Sequence, residues 1–210
     1  MREQEYVGIV VRYQEYREHD AMLHILCENG QLFHVVARGI QKMKSKNAPA
    51  CQVFTMSCFL LNVNEVGDLH SLKSAEIIES YRKIREDLYK QTIASYMCEC
   101  LDASDFDINT LSLLKQSLDI LVDTTHPLRI LCVFQSIMNQ LHGIEPFVDG
   151  CVRCGNTSGI QAISISSGGM VCQGCYQGAI DKKKNMEEII KLETMKNEFF
   201  SSVSHEFKTP

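Results

Sequence analysis

The sequence of 210 residues has no run of about 18 or more apolar residues, so no segment is expected to span a bilayer. Its first residues, MREQEYVGIVVRY, carry acids early and lack a long apolar stretch ending in a small-residue cleavage site. No secretory signal is read there, and a cytoplasmic protein is expected. Internal repeats and low-complexity tracts are also missing. So is any Ser/His/Asp or Cys/His constellation, and any glycine-rich nucleotide motif. His19, His24, His34, His70, His126 and His142 are spread over expected strands and helix ends. The expectation is a protein that is not an enzyme and has no small-molecule substrate.

One absence is local. The chain carries a net charge of −5, yet no acid occurs between Glu28 and Glu65. That interval holds Arg38, Lys42, Lys44 and Lys46, a local +4, which leaves about −9 for the rest. A basic island on an acidic body suits local binding of nucleic acid, with an affinity that falls with salt as counterions are released. The stretch ARGIQKMKSK, Ala37 to Lys46, follows an expected strand, and three lysines at alternating positions suit an irregular segment beside a phosphate backbone. Tyr6, Tyr13, Tyr16, Phe33 and Phe54 could stack on bases, but each reads first as core or strand filler.

Ten cysteines are present, and four of them form two C-x-x-C pairs, Cys151/Cys154 and Cys172/Cys175, with seventeen residues between the pairs. Each pair sets two thiolates on one side of a turn, and the spacer is long enough for a hairpin, AISIS and MVC around SSGG, to return the second pair. Four soft ligands fill a tetrahedral coordination sphere and leave no open position, so one structural Zn²⁺ per chain is expected. The six other cysteines sit in apolar segments and read as buried free thiols.

Patterning divides the chain. Residues 1–80 hold five short β-rich runs separated by turn signals such as ENG and NEVGD, which fits a small barrel. The OB type is the economical choice, and pattern alone leaves an SH3-like barrel open. Residues 81–146 change to i, i+3, i+4 spacing in three helical runs beginning at Tyr81, Ile108 and Pro127. Residues 147–180 hold the C4 module, and residues 181–210 return to helix. The fold class is therefore α+β and multi-domain: a five-stranded OB barrel, a helical bundle, a zinc-ribbon-like module and a C-terminal helix.

The segment GIVVRYQEYREHDAMLHILCENGQLFHVVARGIQKMKSK is similar to the start of the bacterial recombination mediator family RecO. The likeness lies in a glycine-led first strand at Gly8, the acids Glu18 to Asp20, the tripeptide Ala37 to Gly39, and the basic run with Ser45. DLHSLKSAEII, with Ala75 and Glu76, resembles the family's fifth strand, and LHGIEPFVDGCVRCG its helix end and first knuckle. The resemblance covers residues 4–180. It implies binding of single- and double-stranded DNA, strand annealing, and partnership with RecR in loading RecA onto SSB-coated DNA, hence a nucleoid-associated protein. It assigns the DNA contacts to Arg38, Lys42, Lys44 and Lys46.

From Met186 the sequence instead resembles the first dimerisation helix of sensor histidine kinases, ending in the H-E-x-x-x-P box from His205 to Pro210. There His205 would be a phosphoacceptor assisted by Glu206. No ATP-binding region accompanies it, so the tail is expected to be a remnant of a fusion without an enzymatic role. The alternatives to a DNA-binding mediator are a phosphoacceptor signalling module through His205 and an interaction scaffold that binds no DNA.

Overall fold

The computed structural model describes residues 2–64, 69–101, 109–178, 181–191 and 194. Contacts divide the chain into two compact units, Met1–Ile137 and Met138–Pro210.

The first unit is built on five strands: β1 (Arg2–Tyr16), β2 (Asp20–Cys27), β3 (Leu32–Ala37), β4 (Met56–Val63) and β5 (Leu69–Glu79). They close into a barrel in the order β1-β2-β3-β5-β4, with β3 and β5 parallel and the other pairs antiparallel. That order is the OB topology. Alternation fills the interior. Ala21, Leu23, Ile25 and Cys27 of β2, Phe33, Val35 and Ala37 of β3, and Phe59 and Leu61 of β4 form one buried cluster.

β1 serves two neighbours. Arg2 to Ile9 pair with β4, and Gly8 to Tyr16 pair with β2. The strand must turn sharply where the two pairings overlap, and Gly8 stands there. A Cβ at Gly8 would lie 2.6 Å from the Leu26 carbonyl oxygen and 2.8 Å from Ile25 Cγ2. The glycine is needed for close approach of β2. Just beyond it the β1–β2 register shifts between Val10 and Arg12.

That irregularity explains why the β-rich run QVFTMSCFLLNVN, which reads as one strand from Gln52, becomes β4 only at Met56. Residues 52–55 form a turn instead. The Phe54 N–H donates to the Val10 carbonyl (2.8 Å), and the Val10 N–H donates to the Thr55 carbonyl (3.1 Å). Phe54 is buried in a left-handed conformation, φ +68°. These residues satisfy the backbone of β1 rather than extend β4.

The helical part comprises α1 (Arg82–Glu86), α2 (Leu88–Leu101), α3 (Asn109–Asp123) and α4 (Pro127–Leu141). The run from Tyr81 to Leu101 reads as one helix but is two. Asp87 is extended, and its carboxylate accepts the N–H groups of Tyr89 (3.0 Å) and Lys90 (3.1 Å), capping α2. Within this unit Arg85 ties α1 to the barrel by donating to the carbonyls of Ser80 and Val53 and to the Thr55 hydroxyl. Tyr81 donates to Asp119 of α3 at 2.5 Å. Met97, Leu101, Leu114, Leu118 and Leu121 are buried.

In the second unit β6 (Ile160–Ser164) and β7 (Gly169–Cys172) form the hairpin expected from AISIS and MVC. Residues 181–191 are helical. Among the described residues no helix is long and apolar enough to cross a membrane.

Candidate metal centre and nucleic-acid interface

The two knuckles converge. One ligand atom from each of Cys151, Cys154, Cys172 and Cys175 lies within 4.8 Å of the others, and Cys154 Sγ is 3.6 Å from Cys172 Sγ. Local bonds shape each turn. The Gly155 N–H donates to the Cys151 carbonyl (2.7 Å), and the N–H groups of Cys175 and Tyr176 both donate to the Cys172 carbonyl. Gly155 takes φ +75°, a conformation that favours glycine. Cys151, Val171 and Cys172 are buried together, with Val152, Cys175 and Tyr176 packed against them.

The protonation pattern fits a cation site. The backbone N–H of Cys172 holds the Cys151 thiol down at about 6. Its neighbours Cys154 and Cys172 push the Cys175 thiol up to about 12. Four thiolates this close repel one another, and a dication among them removes the repulsion and deprotonates all four. Tetrahedral zinc with bonds of about 2.3 Å sets its sulfurs roughly 3.8 Å apart, close to the 3.6 Å between Cys154 Sγ and Cys172 Sγ. These four residues could hold such an ion.

Arg153, inside the first knuckle, locks the module. Its guanidinium donates to the Cys175 carbonyl (2.6 Å) and the Ser167 hydroxyl (3.2 Å), and makes a two-point pair with Asp181 (2.6 and 3.2 Å). Asp181 also accepts the Gln177 N–H at 2.7 Å, and Arg153 holds its carboxyl below the usual range. One turn later the Asn185 side chain bonds the Ile163 carbonyl (2.6 Å) and the Ile165 N–H (3.1 Å), covering the edge of the hairpin. Sequence reasoning found neither contact. An arginine and an acid 28 positions apart carry no spacing signal, unlike paired cysteines.

The basic stretch forms the connection after β3. Arg38, Lys42, Lys44 and Lys46 are all exposed. No described acid forms an ion pair with any of them. The loop is fastened at both ends. At its start the Asp20 carboxylate accepts the Gly39 N–H (2.7 Å), the His19 carbonyl accepts the Gln41 N–H (3.1 Å), and Ile40 is buried in the barrel core. At its end the Asn47 side chain bonds the Lys73 carbonyl and the Ala75 N–H. The β1–β2 turn and the basic loop are thereby held at one end of the barrel.

Of the five aromatic candidates, Phe33 and Phe54 are core. Tyr6 packs edge-on against Phe33 with centroids 4.7 Å apart, and Tyr13 is half-buried. Tyr16 is the exposed one, 36% accessible, with the Arg17 guanidinium 4.9 Å from its ring centre. His205 and Glu206 lie outside the described residues, as does the rest of 195–210.

Comparison with known proteins agrees along most of the chain. Residues 1–81 match the family model described as Recombination protein O N terminal, and residues 85–190 that described as Recombination protein O C terminal. The chain is similar to the DNA repair protein RecO of Listeria monocytogenes serotype 4b, with 32% identity over 190 residues, 88% of this chain and 73% of that protein. To the DNA repair protein RecO of Bacillus pumilus it is 34% identical over 173 residues, 80% of this chain and 67% of the relative. The C-terminal family match includes the start of the helix that docks through Asp181 and Asn185.

Proposed function

The chain belongs to the RecO, or recombination protein O, family, and on that footing we propose that it is a DNA-binding mediator of recombinational repair. The observation that carries this reading is the fastened, acid-free loop bearing Arg38, Lys42, Lys44 and Lys46 on an OB barrel. Exposed cations with no acidic partner among the described residues are available to phosphates, and a loop already ordered loses little entropy on binding. Residues 1–80 hold the DNA. Residues 81–146 and the C4 module of residues 147–180 provide the remaining framework.

Annealing follows from this surface without any covalent chemistry. A cationic loop neutralises phosphates of one strand and lowers the repulsion that a complementary strand meets. No turnover is required, so the protein acts stoichiometrically. RecR, and through it RecA and SSB-coated single strands, are the partners that family membership points to. In the C4 module Cys151, Cys154, Cys172 and Cys175 would hold Zn²⁺. Four thiolate ligands give it a structural role, fixing the two knuckles around the hairpin.

Annealing of two complementary fluorescent oligonucleotides tests the proposal. The native chain should accelerate annealing, less so at higher salt, and the variant Lys42→Glu/Lys44→Glu/Lys46→Glu should not. A native chain that neither binds nor anneals DNA would overturn the reading and leave an interaction scaffold in its place.

A further inference from the structure

Met43 stands at the middle of the basic loop and is 103% exposed, as accessible as a side chain in an extended peptide. Single exposed apolar side chains are ordinary on protein surfaces. The setting of this one is not. The Ser45 N–H donates to the Lys42 carbonyl at 2.8 Å, and the Lys42 N–H to the Gly39 carbonyl at 3.2 Å. Successive turns therefore put Met43 and Lys44 at the centre of a tip. Three residues earlier Ile40 is buried at 3% exposure, and four residues later Asn47 is bonded to β5. The chain presents an apolar, unbranched side chain from a fixed base, directly between two lysines.

Those lysines define what Met43 meets. A strand whose phosphates lie against Lys42 and Lys44 brings its bases within reach of the residue between them. A methionine thioether is flexible and polarizable and packs well on aromatic faces. Methionine is among the apolar residues that proteins insert between base steps. Resting on the DNA-binding reading above, we infer that Met43 is a wedge that enters between neighbouring bases of the strand held by Lys42 and Lys44. The lysines supply charge neutralisation, which is indifferent to the bases. Met43 parts the stack, leaving bases separated and presented for pairing.

The test uses the whole chain and a single-stranded oligonucleotide carrying 2-aminopurine within an adenine run, where stacking quenches its fluorescence. Binding of the native chain should raise the fluorescence. Met43→Gln keeps the length of the side chain but makes it polar. It should lose the fluorescence rise and bind about five- to tenfold more weakly, the low end of what one lost base-stacking contact costs. Its salt dependence should be unchanged, because the lysines remain. Met43→Leu should retain the signal. If Met43→Gln matches the native chain in both affinity and fluorescence, the wedge is wrong while DNA binding stands. If the native chain binds no DNA, both the wedge and the reading beneath it fall. Thermal unfolding should be the same for all three chains, since the side chain makes no buried contact.

Discussion

Gly8 occupies the point where β1 passes from β4 to β2, and the atom nearest to any added Cβ is the Leu26 carbonyl oxygen, which belongs to a paired strand and has no room to withdraw. Gly8→Ala should therefore destabilise the barrel by about 1–3 kcal/mol, the usual cost of overpacking. Urea denaturation measures it, and an unchanged midpoint would contradict the close approach. Tyr81 offers a second test. Its hydroxyl donates to Asp119, which also accepts from Lys115 at 2.6 Å. Burial pushes the Asp119 carboxyl up, but the bonds from Lys115 and Tyr81 outweigh it and hold the group below its ordinary value of 3.8. A carboxyl depressed in the folded state contributes stability at neutral pH that is lost as pH falls through the folded value. Tyr81→Phe should cost about 1 kcal/mol at pH 7, the worth of one hydrogen bond. The gap from the native chain should narrow below about pH 4. A gap that is constant with pH would show that the hydroxyl does not act through the carboxylate.

Among elements, the break between α1 and α2 rests on one side chain. Asp87→Ala removes the acceptor for two N–H groups and should cost about 1 kcal/mol, as loss of an N-cap does. Asp87→Asn, which can still accept, should recover most of it. Equal losses for both variants would mean that the cap is not the cause of the break. The same place shows what the sequence makes legible. All five barrel strands can be read from runs rich in β-branched and apolar residues bounded by turn signals, and α3 and α4 from helical spacing with Pro127 at the start and Gly143 at the end. Those signals are local and repeat along the element. Asp87 lies within an unbroken helical pattern, and a cap is recognised only where a helix start is already expected. Phe54 looks like a strand residue because it is aromatic and apolar. It is indeed buried, but in a turn set by the irregularity of β1, more than forty positions away in the sequence. The four cysteines were readable because C-x-x-C is a spacing. Arg153, Asp181 and Asn185, which fasten the same module, are ordinary surface residue types whose meaning appears only in three dimensions.

For the molecule as a whole, the proposed DNA-binding loop lies in the first unit and the cysteine cluster in the second. The four cysteines lie wholly within the second unit, so metal removal should act there. The purified chain should hold about one zinc per molecule, and prolonged chelation should raise amide exchange across residues 150–176 while the barrel keeps its protection. Well under one zinc in a chain that nevertheless protects that hairpin would contradict a structural metal. The proposed DNA binding rests on the loop. It is tested most directly by the salt dependence of affinity for a short single-stranded oligonucleotide, measured for the native chain and for Lys42→Glu/Lys44→Glu/Lys46→Glu. Each phosphate neutralised on a single strand contributes about 0.7 to the slope of log affinity against log salt. Loss of the three lysines should therefore flatten that slope by roughly 2 and weaken binding most at low salt. A variant with the native slope and affinity would place the DNA elsewhere on the molecule and contradict the account.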